Sequence, residues 1–103
     1  MLTVLNNNNF EETIKEGLVV VDFWADWCMP CRMIAPTMEE LARDIPDVRF
    51  AKLNVDEFPE LAGRFGVMSI PTLLFFKDGE LKESSIGVVP KAVIEKKLEL
   101  LRG

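Results

Sequence analysis

The nine residues from Phe23 to Cys31, FWADWCMPC, contain the end of an apolar strand, two cysteines three positions apart and the start of a helical pattern. The 103-residue chain has no other cysteine, so no long loop is closed and a structural disulfide framework is excluded. Side chains three apart in the first turn of a helix can form a disulfide with little backbone movement. The chain is therefore predicted to fold around a reactive thiol pair.

The two cysteines are expected to differ in role. The helix N-terminus offers free amide donors and the positive end of the helix dipole, which both favour thiolate over thiol. Cys31 lies on an apolar stripe with Ile34 and Met38, whereas Cys28 precedes the helix beside Trp27. We expect Cys28 to be the exposed attacker, forming a mixed disulfide with substrate, and Cys31 to be the buried resolver that cleaves it.

Three other interpretations of the pair stay open at this point. The cysteines could be half of a zinc site, but with no histidine and no further cysteine a second chain would have to complete it. An iron–sulfur cluster bridging two chains meets the same objection. The cysteines could also be inert core residues, although Pro30 and the helix start place them at an exposed junction.

The hydrophobic pattern around the pair alternates strands with helices. Strands are predicted at residues 3–5, 18–24, 48–55, 72–77 and 80–86, and helices after Asn9, from Pro30 for about four turns, at residues 58–65 and from Pro90. Asn9 and Glu12 have the spacing of a capping box. Alternation predicts parallel strands joined by right-handed crossovers, and Asp78-Gly79 predicts a type I′ turn that adds an antiparallel hairpin.

Composition narrows the class of protein. With 49% hydrophobic and 28% charged residues, the chain fits one soluble globular domain, residues 1–103. A net charge of -5 without a basic run makes nucleic acid an unfavourable partner. No apolar stretch approaches twenty residues and the N-terminus lacks the pattern of a signal peptide, so we expect a mature cytoplasmic protein with no membrane contact.

Two charged residues interrupt strands that should be buried. Asp22 is expected to have a raised pKa and could accept the proton of Cys31, unless it reaches solvent at the strand end. Lys52 could pair with Asp22 and oppose its desolvation, or its ammonium could extend past the sheet into solvent.

The run from Val21 to Pro36, VDFWADWCMPCRMIAP, resembles the active-site signature of the thioredoxin family. Further similar segments cover nearly the whole chain: Lys52-Leu53-Asn54-Val55-Asp56, Ser69-Ile70-Pro71-Thr72, Phe76-Lys77-Asp78-Gly79 and Gly87. The resemblance implies an α/β thioredoxin fold, in which a mixed sheet of three parallel strands plus an antiparallel hairpin is flanked by four helices. It also implies a dithiol that reduces protein disulfides, with Asp22 as the proton acceptor.

The resemblance further implies how the protein is used. No cofactor is bound; the redox-active group is the Cys28–Cys31 disulfide, and NADPH acts only indirectly, through a flavin-dependent thioredoxin reductase. Substrates of the family include ribonucleotide reductase, peroxiredoxins and methionine sulfoxide reductases. We expect a monomer that acts as a general electron donor. A disulfide oxidase or isomerase on the same fold, and a non-catalytic binding module, are the alternatives.

A substrate-docking surface is implied around Cys28. A cis bond before proline is uncommon, but the resemblance implies a cis Ile70-Pro71 bond whose proline faces the cysteines and exposes backbone for pairing with substrate. We call the surface the docking rim; its residues are Trp27, Met29, Pro30, Ile70, Pro71, Gly87 and Val88. Met29 replaces the usual glycine of the signature, and Met68-Ser69 differs from the pairs common before Ile-Pro. Met29 therefore bears on the redox potential, and Met68-Ser69 on substrate range.

Overall fold

Within residues 2–103, five strands and four helices follow one another in the order that the sequence predicts. The computed structural model describes residues 2–103; Met1, which is part of the predicted domain, lies outside the described residues. The strands are β1 (Thr3–Val4), β2 (Leu18–Trp24), β3 (Arg49–Asn54), β4 (Thr72–Lys77) and β5 (Glu80–Ile86). The helices are α1 (Phe10–Ile14), α2 (Met29–Asp44), α3 (Pro59–Arg64) and α4 (Lys91–Arg102).

The strands form one mixed sheet in the order β1-β3-β2-β4-β5. β1, β3 and β2 are parallel, whereas β4 is antiparallel to β2 and forms a hairpin with β5. The predicted combination of three parallel strands and an antiparallel hairpin, flanked by four helices, is therefore confirmed. In the hairpin, Phe75 pairs with Glu83 and Phe76 with Leu81, so Lys82 is an extra residue that forms a bulge.

The central strand β2 is covered on both faces, as its continuous apolar sequence predicts. Val19, Val21 and Phe23 belong to one core cluster with residues of α1 and α3. Val20 belongs to the other, with residues of α2 and α4. Because strand side chains alternate between faces, Asp22 lies on the same face as Val20, beneath α2.

The predicted capping box at the first helix is wrong. Asn9 is the N-cap residue of α1, but its side chain makes no capping hydrogen bond to the helix. Its Oδ1 accepts the N–H of Asn6 at 2.7 Å, and its Nδ2 donates to the carbonyl oxygen of Val4 at 3.0 Å. The Asn9 side chain therefore stabilises the turn before the helix and does not cap it. The backbone groups of Asn6 and Val4 compete with the first helical N–H groups for the same amide.

The hairpin turn between β4 and β5 contains two residues with positive φ, Asp78 at 51° and Gly79 at 86°. This agrees with the type I′ turn predicted from the sequence. Asp78 also joins the turn to the loop before β2: its Oδ1 accepts the N–H of Gly17 at 2.8 Å, and its own N–H donates to the Gly17 carbonyl oxygen at 3.0 Å.

Gly79→Ala should destabilise the protein by about 1 kcal/mol, because a Cβ is disfavoured at positive φ. Gly63→Ala is the matched control: Gly63 lies inside α3, has open space where the added methyl group would lie and has no positive φ. It should stabilise by roughly 0.5–1 kcal/mol, because alanine is the better helix former. Urea unfolding of the oxidised protein measures both, and equal effects in the two variants would contradict the assignment.

Candidate active site

The cysteine pair lies directly after β2, where the chain turns into α2. Cys28 is the N-cap residue of α2, and it forms a disulfide with Cys31 across a Cα–Cα distance of 5.3 Å. The backbone N–H of Cys31 donates to Cys28 Sγ at 3.2 Å. A free amide at a helix N-terminus that points at a sulfur stabilises negative charge there, so the geometry favours a Cys28 thiolate once the disulfide is reduced.

The expected difference in exposure between the two cysteines is wrong for the disulfide form. Cys28 is 3% exposed and Cys31 is 4% exposed. Both pack in a small cluster with Ala25, against which Trp24, Val55 and Ile70 also pack. The residues that pack against this cluster cover both cysteines in the disulfide form. The exposure of Cys28 is therefore not decided by its position before the helix.

The two sulfurs nevertheless have different neighbours. Cys28 Sγ lies 3.7 Å from the carbonyl oxygen of Ile70, on the side of the docking rim. Cys31 lines a cavity of about 130 Å³ together with Asp22 and Lys52. The asymmetry between the cysteines is therefore one of surroundings: Cys28 adjoins the loop that holds Pro71, and Cys31 adjoins the cavity that Asp22 and Lys52 line.

Asp22 is buried, which excludes the alternative that it reaches solvent at the strand end. Its side chain is 4% exposed, and within residues 2–103 its Oδ1 has no hydrogen-bond partner. Burial raises the pKa of Asp22 from 3.8 to about 7, while the charge of Lys52 acts in the opposite direction. The expectation of a raised pKa is confirmed, and desolvation is the main cause.

Lys52 lies opposite Asp22 in the register of β2 and β3. Its charge opposes the desolvation of Asp22, as predicted. The two side chains do not form a contact ion pair in the described part of the chain, however; the Lys52 ammonium lies over the ring of Trp24, 5.1 Å from the ring centroid. The half-buried ammonium therefore neither contacts the carboxylate nor extends freely into solvent.

The loops of the docking rim meet beside the cysteine pair. The Ile70-Pro71 bond is cis, as expected, and Pro71 is buried. The N–H of Gly87 donates to the carbonyl oxygen of Pro71 at 2.8 Å, which joins the segment after β5 to the proline loop. Trp27 is 70% exposed and Met29 63% exposed. The remaining rim residues are exposed at Pro30 and Val88 and half-buried at Ile70 and Gly87.

Three residues near the site were missed from the sequence. Asp56 Oδ2 accepts the indole N–H of Trp27 at 2.9 Å, and Val55 packs against the cysteines. Both follow β3, and the carboxyl ends of parallel strands meet at one edge of a sheet, which was a usable signal. Met33 is 63% exposed, and its position one helical turn after Met29 could have indicated a second methionine near the rim.

Neither a metal cluster nor a membrane helix is found in the described residues. Residues 2–103 contain no group of three or more His, Cys, Asp or Glu side chains placed to hold a metal ion. Within the same residues, no helix is long and apolar enough to cross a membrane. The redox-active group that the structure contains is the Cys28–Cys31 disulfide.

A disulfide at a helix N-terminus, next to a buried carboxyl group and a cis-proline loop, has the groups that thiol-disulfide exchange requires. The comparisons with known proteins agree. Residues 1–100 match the family model described as Thioredoxin. The chain belongs to the thioredoxin family, and it is a protein-disulfide oxidoreductase.

Similar proteins come from bacteria and from chloroplasts. The chain is 50% identical over 90 residues to a thioredoxin of Bacillus subtilis, covering 86% of each protein. It is 50% identical over 99 residues to the chloroplastic M-type thioredoxin of Pisum sativum, covering 93% of this chain and 58% of the pea protein.

Among solved structures, one chain matches with a TM-score of 0.87 and 38% identity, over 95% of this chain and 93% of the other. That structure concerns the thiol-resolving mechanism of a yeast mitochondrial 1-Cys peroxiredoxin via glutathione and thioredoxin systems.

Asp22→Asn should stabilise the oxidised protein in a pH-dependent way. In the unfolded chain the pKa of Asp22 has its ordinary value of 3.8, whereas burial in the folded protein raises this pKa to about 7. Wild-type stability is therefore lost as the pH rises through this window and stays lower above it. The variant should be more stable than wild type at pH 8 by several kcal/mol, on the order of 4, and nearly equal at pH 4.

Urea unfolding at pH 4, 6 and 8 measures this difference. Asp26→Asn is the control, because it makes the same chemical replacement at an exposed aspartate four residues away, where no carboxyl group is buried. A difference between wild type and Asp22→Asn that does not change with pH would refute the raised pKa.

Proposed function

We propose that this protein is a general electron donor that reduces protein disulfides, with Cys28 as nucleophile, Cys31 as resolving thiol and Asp22 as proton acceptor. The observation that carries the proposal is the different surroundings of the two sulfurs. Cys28 adjoins the docking rim, whereas Cys31 adjoins the cavity that contains Asp22. We also infer that residues 1–103 form a single domain.

In the first step the Cys28 thiolate attacks one sulfur of a substrate disulfide. A bond forms between Cys28 and that sulfur, the substrate S–S bond breaks, and the other substrate sulfur leaves as a thiolate that takes a proton from solvent. The Cys31 N–H, which lies 3.2 Å from Cys28 Sγ, supports the attacking thiolate.

In the second step Cys31 resolves the mixed disulfide. The Cys31 thiol gives its proton to the Asp22 carboxylate, and the resulting thiolate attacks Cys28 Sγ. The Cys28–Cys31 bond forms, and the bond to substrate breaks and releases the second substrate thiolate. The substrate gains two electrons and the protein loses two. An acceptor with a pKa of about 7 can take up and release a proton near neutral pH, and Lys52 tunes that pKa.

The docking rim is proposed to bind an extended substrate segment. Exposed apolar side chains at Trp27, Met29 and Val88 offer contact area. The backbone of Ile70, just before Pro71, offers strand-like hydrogen bonds beside Cys28. Pro30, Ile70 and Gly87 complete the rim. Met33, exposed one turn after Met29, extends the same apolar surface along α2.

The partners follow from family membership. We propose that a thioredoxin reductase returns electrons from NADPH to the Cys28–Cys31 disulfide. Peroxiredoxins, ribonucleotide reductase and methionine sulfoxide reductases are the proposed substrates. The solved structure from a study of a peroxiredoxin and the thioredoxin system is consistent with the first of these. We further propose that the protein acts as a monomer in the cytoplasm, in electron transport.

The redox potential should distinguish an electron donor from an oxidant. We expect a value near -270 mV, the thioredoxin range, rather than the -180 to -120 mV of isomerases and oxidases. The measurement is the reduced fraction of Cys28–Cys31 after equilibration in glutathione and dithiothreitol buffers. A potential in the higher range would assign the protein to disulfide formation or isomerisation instead.

Asp22→Asn should slow the second step more than the first. Mixed disulfide forms from Cys28 without Asp22, but its resolution loses the proton acceptor of Cys31 and should slow by about 10- to 100-fold near pH 7. Rapid-quench kinetics with a disulfide-containing peptide separates the two steps.

Cys31→Ser is the control for these kinetics, because it should trap the mixed disulfide completely. Cys28→Ser should abolish reduction, and full activity in this variant would remove Cys28 from the mechanism, whereas absence of reduction in the wild type would indicate a binding module. Unchanged resolution in Asp22→Asn would remove Asp22 from the mechanism.

A further inference from the structure

Trp24 takes no part in the steps above, yet its ring contacts the cation that acts on Asp22. Lys52 Nζ lies 5.1 Å from the centroid of the Trp24 ring, within the distance at which an ammonium is attracted to an aromatic face. Trp24, Lys52 and Asp22 all line the cavity that contains Cys31. The aromatic ring is therefore part of the environment of the proposed proton acceptor.

The strand geometry gives the Lys52 ammonium two alternative neighbours. Asp22 and Trp24 are two residues apart on β2, so their side chains lie on the same face of the sheet. Lys52 pairs with Asp22 in the register of β3, and its long side chain extends over the same face. In the structure the ammonium lies over the ring, and the Oδ1 atom of Asp22 has no partner within residues 2–103.

We propose that Trp24 is a positioning residue that holds the Lys52 ammonium over its ring and away from direct contact with the Asp22 carboxylate. At this position the cation stabilises the carboxylate through the cavity but does not pair with it. A contact ion pair would make the carboxylate a weaker base. Trp24 thus keeps Asp22 basic enough to receive a proton, a consequence that rests on the proposed role of Asp22.

Among the groups that line the cavity around Asp22, Lys52 is the cation whose position depends on Trp24. From α2, Cys31, Arg32 and Glu39 line the cavity. The Arg32 guanidinium donates to the carbonyl oxygen of Asp26 at 2.8 Å, which holds it toward the loop after β2. Other neighbours of Asp22 carry no charge: Leu73 is its partner on β4, and Leu2 lines the cavity.

The test is the pKa of Asp22 in the oxidised protein, measured from the ¹³C shift of its carboxyl carbon. Trp24→Leu removes the ring and frees the ammonium to pair with the carboxylate. The Asp22 pKa should then fall by roughly one pH unit, the direction and size expected when an opposite charge approaches to about 4 Å. Trp24→Phe keeps a weaker aromatic face and should give a smaller fall.

The Lys52→Met background separates repositioning of the cation from simple hydration of the cavity. Trp24→Leu should leave the Asp22 pKa unchanged in that background, because there is no ammonium to release. An equal fall with and without Lys52 would overturn the proposal, as would no fall in the Lys52-containing protein. The Asp22 pKa is measured without catalysis, so the two proposals can fail independently. The pKa could stay unchanged in Trp24→Leu while Asp22→Asn still slows resolution, or it could fall while Asp22→Asn has no effect on resolution.

A second measurement needs no variant. Protons on the Lys52 carbon next to the ammonium should be shifted upfield by the Trp24 ring current in the oxidised protein. A Lys52 resonance at its ordinary position would contradict the arrangement, even if Trp24→Leu does not fold.

Discussion

The parallel pairing of β2 with β3 sets the geometry on which the active site depends. Its register places Asp22 beside Lys52, and strand alternation turns both side chains to the face that α2 covers. Because α2 begins just after β2 ends, Cys31 in its first turn lies above the same carboxylate. A slip of one residue would turn Asp22 into the opposite core, where Phe10, Phe65 and Phe76 pack together.

Much of the fold could be predicted because its local signals agree with its packing. The apolar run of β2 specified a strand covered on both faces, and Asp78-Gly79 specified the hairpin turn that the positive φ angles show. For the same reason the burial of Asp22 could be predicted, since a carboxylate in a strand that is covered on both faces has to be buried. Its raised pKa follows from that burial, and the partial offset by Lys52 follows from the register.

The predictions that failed concern side chains with a choice of partners. Asn9 had the spacing to cap α1, but its amide group bonds to Asn6 and to the Val4 carbonyl. Cys28 was expected to be exposed because it precedes the helix, but Ile70, from a loop distant in the chain, packs against it. Spacing identifies the groups that are available, whereas competition among neighbours from other loops decides which contacts form.

The same competition determines how the proposed proton acceptor works. A contact ion pair between Asp22 and Lys52 would relieve the cost of burying the carboxylate, but it would also lower the pKa and make the carboxylate less able to take the proton of Cys31. An Asp22 without any nearby cation would be harder still to ionise. With the ammonium over Trp24, the pKa lies at about 7, where both forms of Asp22 are populated. A carboxyl group that must accept a proton in one step and return it in the next requires a pKa near the working pH. Burying such a group in the central strand of the sheet lowers the free energy of unfolding at neutral pH.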